Sequence, residues 1–337
     1  MKSKPHIAIY GTGMIGSYLG GRLHDHARVR FIARPHVAAT LNEHGLRVSD
    51  LHGRQQHIAP DGLDIRTHPD AVRDAELVLV TVKSAATMDA AHELAELLAP
   101  GTLVISFQNG VRNTAELRAA LPGHKVLAGM VPFNVTQPEP GHFHQGSSGE
   151  LIVERSDALA AFADVFAASA MPLRQQEDMQ AVLWAKLLIN LNNPLNALSG
   201  LPLREELAQR AWRQCLALLQ REGLRALDAA GIRPAQLTAL PARWLPGVLS
   251  LPDGLFHRIA ARMLAIDPLA RSSTWDDLQA GRRTEVDYIN GEIVALAASK
   301  GQRASANARI VSLIRDAEQS FEAWNAQALL RELRNAP

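Results

Sequence analysis

The order of apolar and polar positions divides the chain in two. In the first half, short apolar runs alternate with stretches of helical period. Residues 6–10 (His-Ile-Ala-Ile-Tyr) and 29–33 read as strands. Residues 76–82, Glu-Leu-Val-Leu-Val-Thr-Val, form a continuous apolar run, the pattern of a strand covered on both faces. A helix is expected over 87–98, stopped by Pro100-Gly101, and another strand over 103–107. Residues 46–67 alternate loosely around turn residues and predict short strands or an excursion. Further strands are expected near 126–135 and 149–154, with 137–141 as a loop between them. Residues 156–169 read as helical and 173–176 as a last edge strand.

Near Glu177-Asp178 the strand-like runs stop, and the pattern is helical almost to the end. The expected organisation is an α/β unit over 1–177 and an all-α unit over 178–337. The helical half breaks at Ser199-Gly200-Leu201-Pro202, at Gly231-Ile232-Arg233-Pro234 and across the proline-bearing stretch 241–252. It breaks again at Ile266-Asp267-Pro268 and Lys300-Gly301.

Composition narrows the function classes. The 337 residues are 47% hydrophobic and 20% charged, ordinary for a globular protein of about two domains. The formal net charge of +1 offers no field for nucleic acid or an anionic membrane surface. A single cysteine, Cys215, excludes an intrachain disulfide and sits in an apolar helical pattern, where it reads as a small core residue. No run approaches the length of a membrane span, and Met1-Lys2-Ser3-Lys4 leads into the first strand without a signal-like apolar stretch, so a cytoplasmic protein is expected. The thirteen histidines show no ligand spacing, and no metal is expected.

The first candidate site is the turn Gly11-Thr12-Gly13-Met14-Ile15-Gly16, between the first strand and a helix expected from Ser17 onward. In that context G-x-G-x-x-G is a dinucleotide fingerprint. Gly11 permits the turn, Gly13 removes the side chain that would block a pyrophosphate, and Gly16 lets the helix approach the strand. The helix N-terminus then faces the phosphates. At the end of the second strand, where NAD enzymes place a carboxylate for the ribose, stands Arg34, with His36 close behind. A guanidinium suits a 2′-phosphate, which favours NADP over NAD; a solvated strand-end arginine is the alternative. Lys83, ending the 76–82 run, suits either cofactor oxygens or plain solvent.

The second candidate lies on the helix that follows Asp178. Lys186, Asn190 and Asn193 fall within roughly 60° of one another at 3.6 residues per turn. Their neighbours Leu187, Leu188, Ile189 and Leu191 are apolar. Either the stripe faces water or it faces a ligand, and the flanking hydrophobicity favours the ligand. Pro194 lacks the N–H that the Asn190 carbonyl would accept, which frees that oxygen or kinks the helix. Farther on, residues 272–277 read as a helix start, Gly281 as its stop, and Thr284-Glu285 as the opening of the next helix. Ser273 and Glu285 stand at these two starts, and spacing alone does not separate a ligand role from routine capping.

Together these motifs resemble the ketopantoate reductases (2-dehydropantoate 2-reductases), NADP-dependent enzymes of pantothenate synthesis. The likeness runs in order through 11–16, Arg34, Val80-Thr81-Val82-Lys83, Gln108-Asn109-Gly110, Leu183-Trp184-Ala185-Lys186-Leu187, Asn190 and Thr284-Glu285-Val286-Asp287-Tyr288-Ile289-Asn290-Gly291. The resemblance implies a Rossmann-type domain followed by a helical domain, with the active site in the cleft. It also implies that Lys186 is the general acid, that Asn190 and Ser273 bind substrate, and that Glu285 serves substrate and nicotinamide ribose. Lys83 and Asn109 match cofactor-side positions, with Asn109 also near substrate, and Arg34 matches the contact to the 2′-phosphate. Two departures stand out. The family's second helix asparagine falls on Pro194 here, so its role passes to Asn193. An asparagine three residues before the serine is Ala270.

The expectation is therefore NADPH-dependent reduction of a small branched 2-oxo acid, with ketopantoate leading. A hydroxy-acid dehydrogenase of the same family and a non-catalytic NADP sensor are the alternatives. The partners expected are a small-molecule substrate and neither nucleic acid nor membrane; a helical second domain of this kind admits a homodimer.

Overall fold

A computed structural model describes residues 4–259 and 270–337. The expected break at Ile266-Asp267-Pro268 and the leading Met1-Lys2-Ser3 lie outside the described residues. The chain forms two compact units, Met1–Met179 and Gln180–Pro337.

The described residues of the first unit form twelve strands: β1 His6–Tyr10, β2 Arg28–Ile32, β3 Leu46–Ser49, β4 Gln55–Ile58, β5 Asp64–Arg66, β6 Leu77–Val80, β7 Leu103–Ser106, β8 Lys125–Met130, β9 Val135–Glu139, β10 His142–Gln145, β11 Leu151–Glu154 and β12 Leu173–Gln176. Eight form one sheet in the order β12-β11-β8-β7-β6-β1-β2-β5. All its pairs are parallel except β8–β11. The apolar runs behave as a doubly covered sheet requires. Ile7, Ile9, Leu77, Leu79, Leu103 and Ile105 face one core, while Ala8, Tyr10, Val78, Val80 and Val104 face the other. The strand order reverses between β1 and β6, the switch point at which open α/β sheets bind ligands.

The stretch 46–67 resolves into β3, β4 and β5, of which β3 and β4 join β9 and β10 in a second, four-stranded sheet. The expected strand near 126–135 is two strands, β8 and the start of β9. The expected loop 137–141 is a correction: Gln137, Pro138 and Glu139 belong to β9. Pro138 cannot donate to a ladder, and β9 tolerates it because it is an edge strand. The first helix begins at Met14 rather than Ser17. Residues 157–161 are a 3₁₀ turn before a short helix, Ala163–Ala168.

Among its described residues the second unit has helices and no strand. Its long helix Arg210–Ala229 carries a buried stripe that includes Cys215, whose thiol burial pushes up to about 12, so it is an inert core group. Helix Met179–Asn190 meets this helix at Gly223, where an added Cβ would stand 2.7 Å from Leu188 Cδ2 and 3.2 Å from Ile293 Cδ1. Helices 179–190, 210–229 and 286–299 therefore pack around one glycine. Among the described residues no helix is long and apolar enough to cross a membrane.

Candidate functional site

In the first unit, the glycine turn is held from two sides. The Gly11 and Thr12 amides both donate to Ile32 O at 3.2 Å, and Thr12 Oγ1 donates to the same oxygen at 2.9 Å, which ties the turn to the end of β2. Thr81 Oγ1 donates to Gly11 O at 2.6 Å, which ties it to the end of β6. Gly11 adopts φ +103°, open to glycine, and an added Cβ would strike the Val82 backbone. At Gly16 an added Cβ would lie 2.3 Å from Gly11 O. At Gly13 it would meet nothing within 4 Å. Gly13 is exposed and caps helix Met14–Leu23. Thus two glycines are required by the protein's own packing, and the third faces open space beside a helix N-terminus. The first amides of the helix, from Met14 to Gly16, have no acceptor within a regular helix, and their partial positive charge points into that space. This arrangement fits the pyrophosphate of a dinucleotide. Thr12, with N–H and O–H both engaged, contributes position rather than a donor.

Arg34 follows β2, exposed, as the N-cap residue of helix Pro35–His44, and makes no ion pair among the described residues. Lys83 follows β6, exposed, and Asn109 follows β7, half-buried. Behind these two stands a buried polar web that sequence reading missed. Ser84 Oγ donates to Asn109 O at 3.0 Å, and Asn113 Nδ2 donates both to Ser84 Oγ, at 3.1 Å, and to Asn109 O. Thr87 Oγ1 donates to Asn113 Oδ1 at 2.9 Å. Gln108 Nε2 donates to Thr87 Oγ1 at 2.8 Å and to Val82 O at 3.1 Å. Ser106 Oγ donates to Gln108 Oε1 at 2.9 Å. The web clamps the ends of β6 and β7 together, so Lys83 and Asn109 rise from one rigid base. The available signal was Ser84, Thr87 and Gln108 beside runs otherwise apolar, which reads equally well as turn chemistry.

In the second unit, Lys186 and Asn190 lie one turn apart on helix Met179–Asn190. Lys186 is half-buried between the buried Ala185 and Leu187. Burial pushes its ammonium down from the ordinary 10.5 to about 8. The helix does not continue regularly: Leu191 separates it from helix Asn192–Ser199. The interruption falls where Pro194 removes the donor to Asn190 O, so Asn193 belongs to a new helix rather than to one unbroken stripe. Tertiary contacts instead bring Asn193 beside Ser273. Ser272 caps helix Ser273–Gln279, accepting from Trp275 N at 3.2 Å, and its Oγ donates to Asn193 O at 2.8 Å. Ser273 is exposed at the first position of that helix.

Glu285 occupies the N-cap position of helix Val286–Ser299 and is half-buried. The turn that presents it is anchored by Thr284, whose N–H and Oγ1 both donate to Glu318 Oε1 at 2.8 Å. The described structure thus gathers Gly11–Gly16, Arg34, Lys83 and Asn109 at strand ends of the first unit. In the second it gathers Lys186 with Asn190, and Asn193 with Ser273. Among the described residues no group of three or more His, Cys, Asp or Glu side chains could hold a metal.

Two family models match the chain: "Ketopantoate reductase PanE/ApbA" over residues 7–158 and "Ketopantoate reductase PanE/ApbA C terminal" over 178–318. A 2-dehydropantoate 2-reductase of Halobacterium salinarum is 29% identical over 296 residues, covering 86% of this chain and 90% of that protein. A PanE/ApbA family ketopantoate reductase of Ralstonia eutropha JMP134 superposes with a TM-score of 0.79 at 30% identity, covering 93% of this chain and 98% of that one. A D-mandelate dehydrogenase solved with NADH and anilino(oxo)acetate shares the fold, with a TM-score of 0.77 at 20% identity over 94% of this chain and 99% of its own.

Proposed function

Since the chain belongs to the ketopantoate reductase PanE/ApbA family and is an oxidoreductase acting on a CH–OH group, we propose that it reduces a small branched 2-oxo acid with NADPH, 2-dehydropantoate being the leading candidate. The observation that carries this reading is a lysine whose ammonium burial lowers to about 8, one turn from an asparagine on the same apolar helix.

The glycine turn and its helix N-terminus would hold the cofactor pyrophosphate, Arg34 the 2′-phosphate, and Lys83 and Asn109 the cofactor side nearer the chemistry. The reduced nicotinamide supplies the hydride. The carbonyl oxygen gains negative charge as its carbon is reduced, and Lys186 donates the proton from Nζ that makes it a hydroxyl. Asn190, Asn193 and Ser273 orient the substrate's carboxylate or hydroxyl, which makes the reaction effectively intramolecular. Glu285 bonds substrate hydroxyl and helps keep Lys186 charged.

The test is an NADPH-oxidation assay over a panel of 2-oxo acids, run in parallel with NADH. Turnover of a branched 2-oxo acid with NADPH is expected. Failure across the panel with both cofactors would refute the activity. In the same assay Arg34→Asp should weaken NADPH far more than NADH, and equal loss of both would remove Arg34 from the 2′-phosphate.

A further inference from the structure

The second unit contains a buried carboxyl that the proposed chemistry does not use. Glu206, on the short helix Leu203–Ala208, is 0% exposed. Its Oε2 accepts from Asn196 Nδ2 at 2.9 Å and from Asn192 Nδ2 at 3.2 Å. Asn192 and Asn196 are four residues apart, on one face of helix Asn192–Ser199, whereas Asn193 is set about 100° around from Asn192. Asn196 Nδ2 also donates to Leu201 O at 2.9 Å. With both amide hydrogens committed, its Oδ1 is left to accept from Ser272 N, at 2.9 Å. Ser272 in turn bonds Asn193 O through Oγ and caps the helix that begins with Ser273. Glu206 Oε2 and Leu201 O together fix which way the Asn196 amide faces, and that amide locates Ser272 between the two proposed substrate contacts.

An apolar side chain would fill this space at less cost, because a buried carboxyl must give up its hydration. Among the described residues Glu206 Oε1 and Asn192 Oδ1 have no hydrogen-bond partner, so the arrangement is not optimised for stability alone. Burial pushes the carboxyl up to about 8. We infer that Glu206, acting through Asn196 and Ser272, is a positioning residue that sets Asn193 and Ser273 at the spacing that grips the anionic end of the substrate. The inference rests on the reading of this unit as the substrate-binding one.

Steady-state kinetics on the best 2-oxo acid, with NADPH affinity measured separately by fluorescence titration, tests it. Glu206→Leu should raise KM for the oxo acid about three- to tenfold, the scale of one lost hydrogen bond to a neutral carboxyl. Its kcat should change less than its KM, and its Kd for NADPH should stay at the wild-type value. Glu206→Gln keeps an acceptor toward both asparagines and should restore KM. Should Glu206→Leu not fold, Ser272→Ala breaks the same relay at its far end and should show the same selective rise in KM. Wild-type KM in a folded Glu206→Leu or Ser272→Ala, or an equal loss of NADPH affinity, overturns the inference while the activity stands. A wild-type enzyme that reduces no 2-oxo acid overturns the functional reading and this inference with it.

Discussion

An exposed lysine at neutral pH holds its proton too tightly to be a ready acid. Desolvation lowers Lys186 to about 8, so at pH 7 it is still mostly protonated but gives the proton up more easily. Lys186→Ala should lower kcat by about 10²–10⁴-fold, the usual worth of a general acid, and leave the Kd for NADPH nearly unchanged. Because the acid must carry its proton, wild-type kcat for reduction should fall as pH rises through about 8. A wild-type kcat in Lys186→Ala would place the proton donor elsewhere. The glycines offer a second residue-scale test. A Cβ on Gly13 enters open space, so Gly13→Ala should keep wild-type thermal stability, less a few tenths of a kcal/mol at the cap, yet weaken NADPH binding. A Cβ on Gly16 meets a backbone oxygen that cannot yield, so Gly16→Ala should destabilise the fold by about 1–3 kcal/mol. Thermal melts with NADPH titration separate the two; intact NADPH affinity in Gly13→Ala would move the pyrophosphate away from the turn.

At the scale of elements, the ends of β6 and β7 are joined by the Phe107 N–H to Val80 O bond and, beyond it, by side chains. Asn113 is the centre of that junction, 3% exposed, and bonds Ser84, Thr87 and the Asn109 carbonyl. Asn113→Ala would strand buried polar groups, which costs about 1–3 kcal/mol for each left unsatisfied. We expect lower stability in urea together with a weaker Kd for NADPH, because Lys83 and Asn109 lose their common base. Lower stability with an unaltered Kd would make the web structural only. The break at Leu191 belongs to the same scale. A proline three residues on ends one helix and starts another, and the second helix takes its orientation from Glu206 and Ser272 rather than from the helical period of the first.

For the whole molecule, the 35 basic and 34 acidic side chains nearly cancel, so stability responds to pH through particular buried groups more than through net repulsion. Glu206 is one. Its folded value of about 8 lies above the ordinary 4.5, so the native state holds a proton that the unfolded chain has already lost between those limits. Stability from this group is fully present below about pH 4.5 and declines as pH rises toward 8. Glu206→Gln cannot titrate. Urea melts of the two proteins between pH 5 and 8 should show the wild type losing ground to the variant as pH rises, and a constant difference would mean that Glu206 is already ionised in the fold.

The sequence by itself determined the elements whose information is local. Residues 6–10, 77–80 and 103–106 are strands because apolar side chains on both faces leave them no other stable environment. The Gly11–Gly16 turn was legible because steric demands of a tight turn fall on neighbours in the chain. So was the change to helix after Glu177-Asp178, as was the pairing of Lys186 with Asn190, one turn apart. Periodicity carries such relations across about one helical turn or one strand, and no farther. Only the tertiary structure decided that Ser272 reaches Asn193, that Asn196 reaches Ser272, and that Asn113 holds the ends of two strands. Glu206, in Arg204-Glu205-Glu206, has the sequence surroundings of a solvated helix face. It is buried where helix Asn192–Ser199 brings two asparagines to its carboxyl, and a hydrogen bond between residues 79 apart, as between Asn193 and Ser272, is chosen by packing rather than by any pattern along the chain.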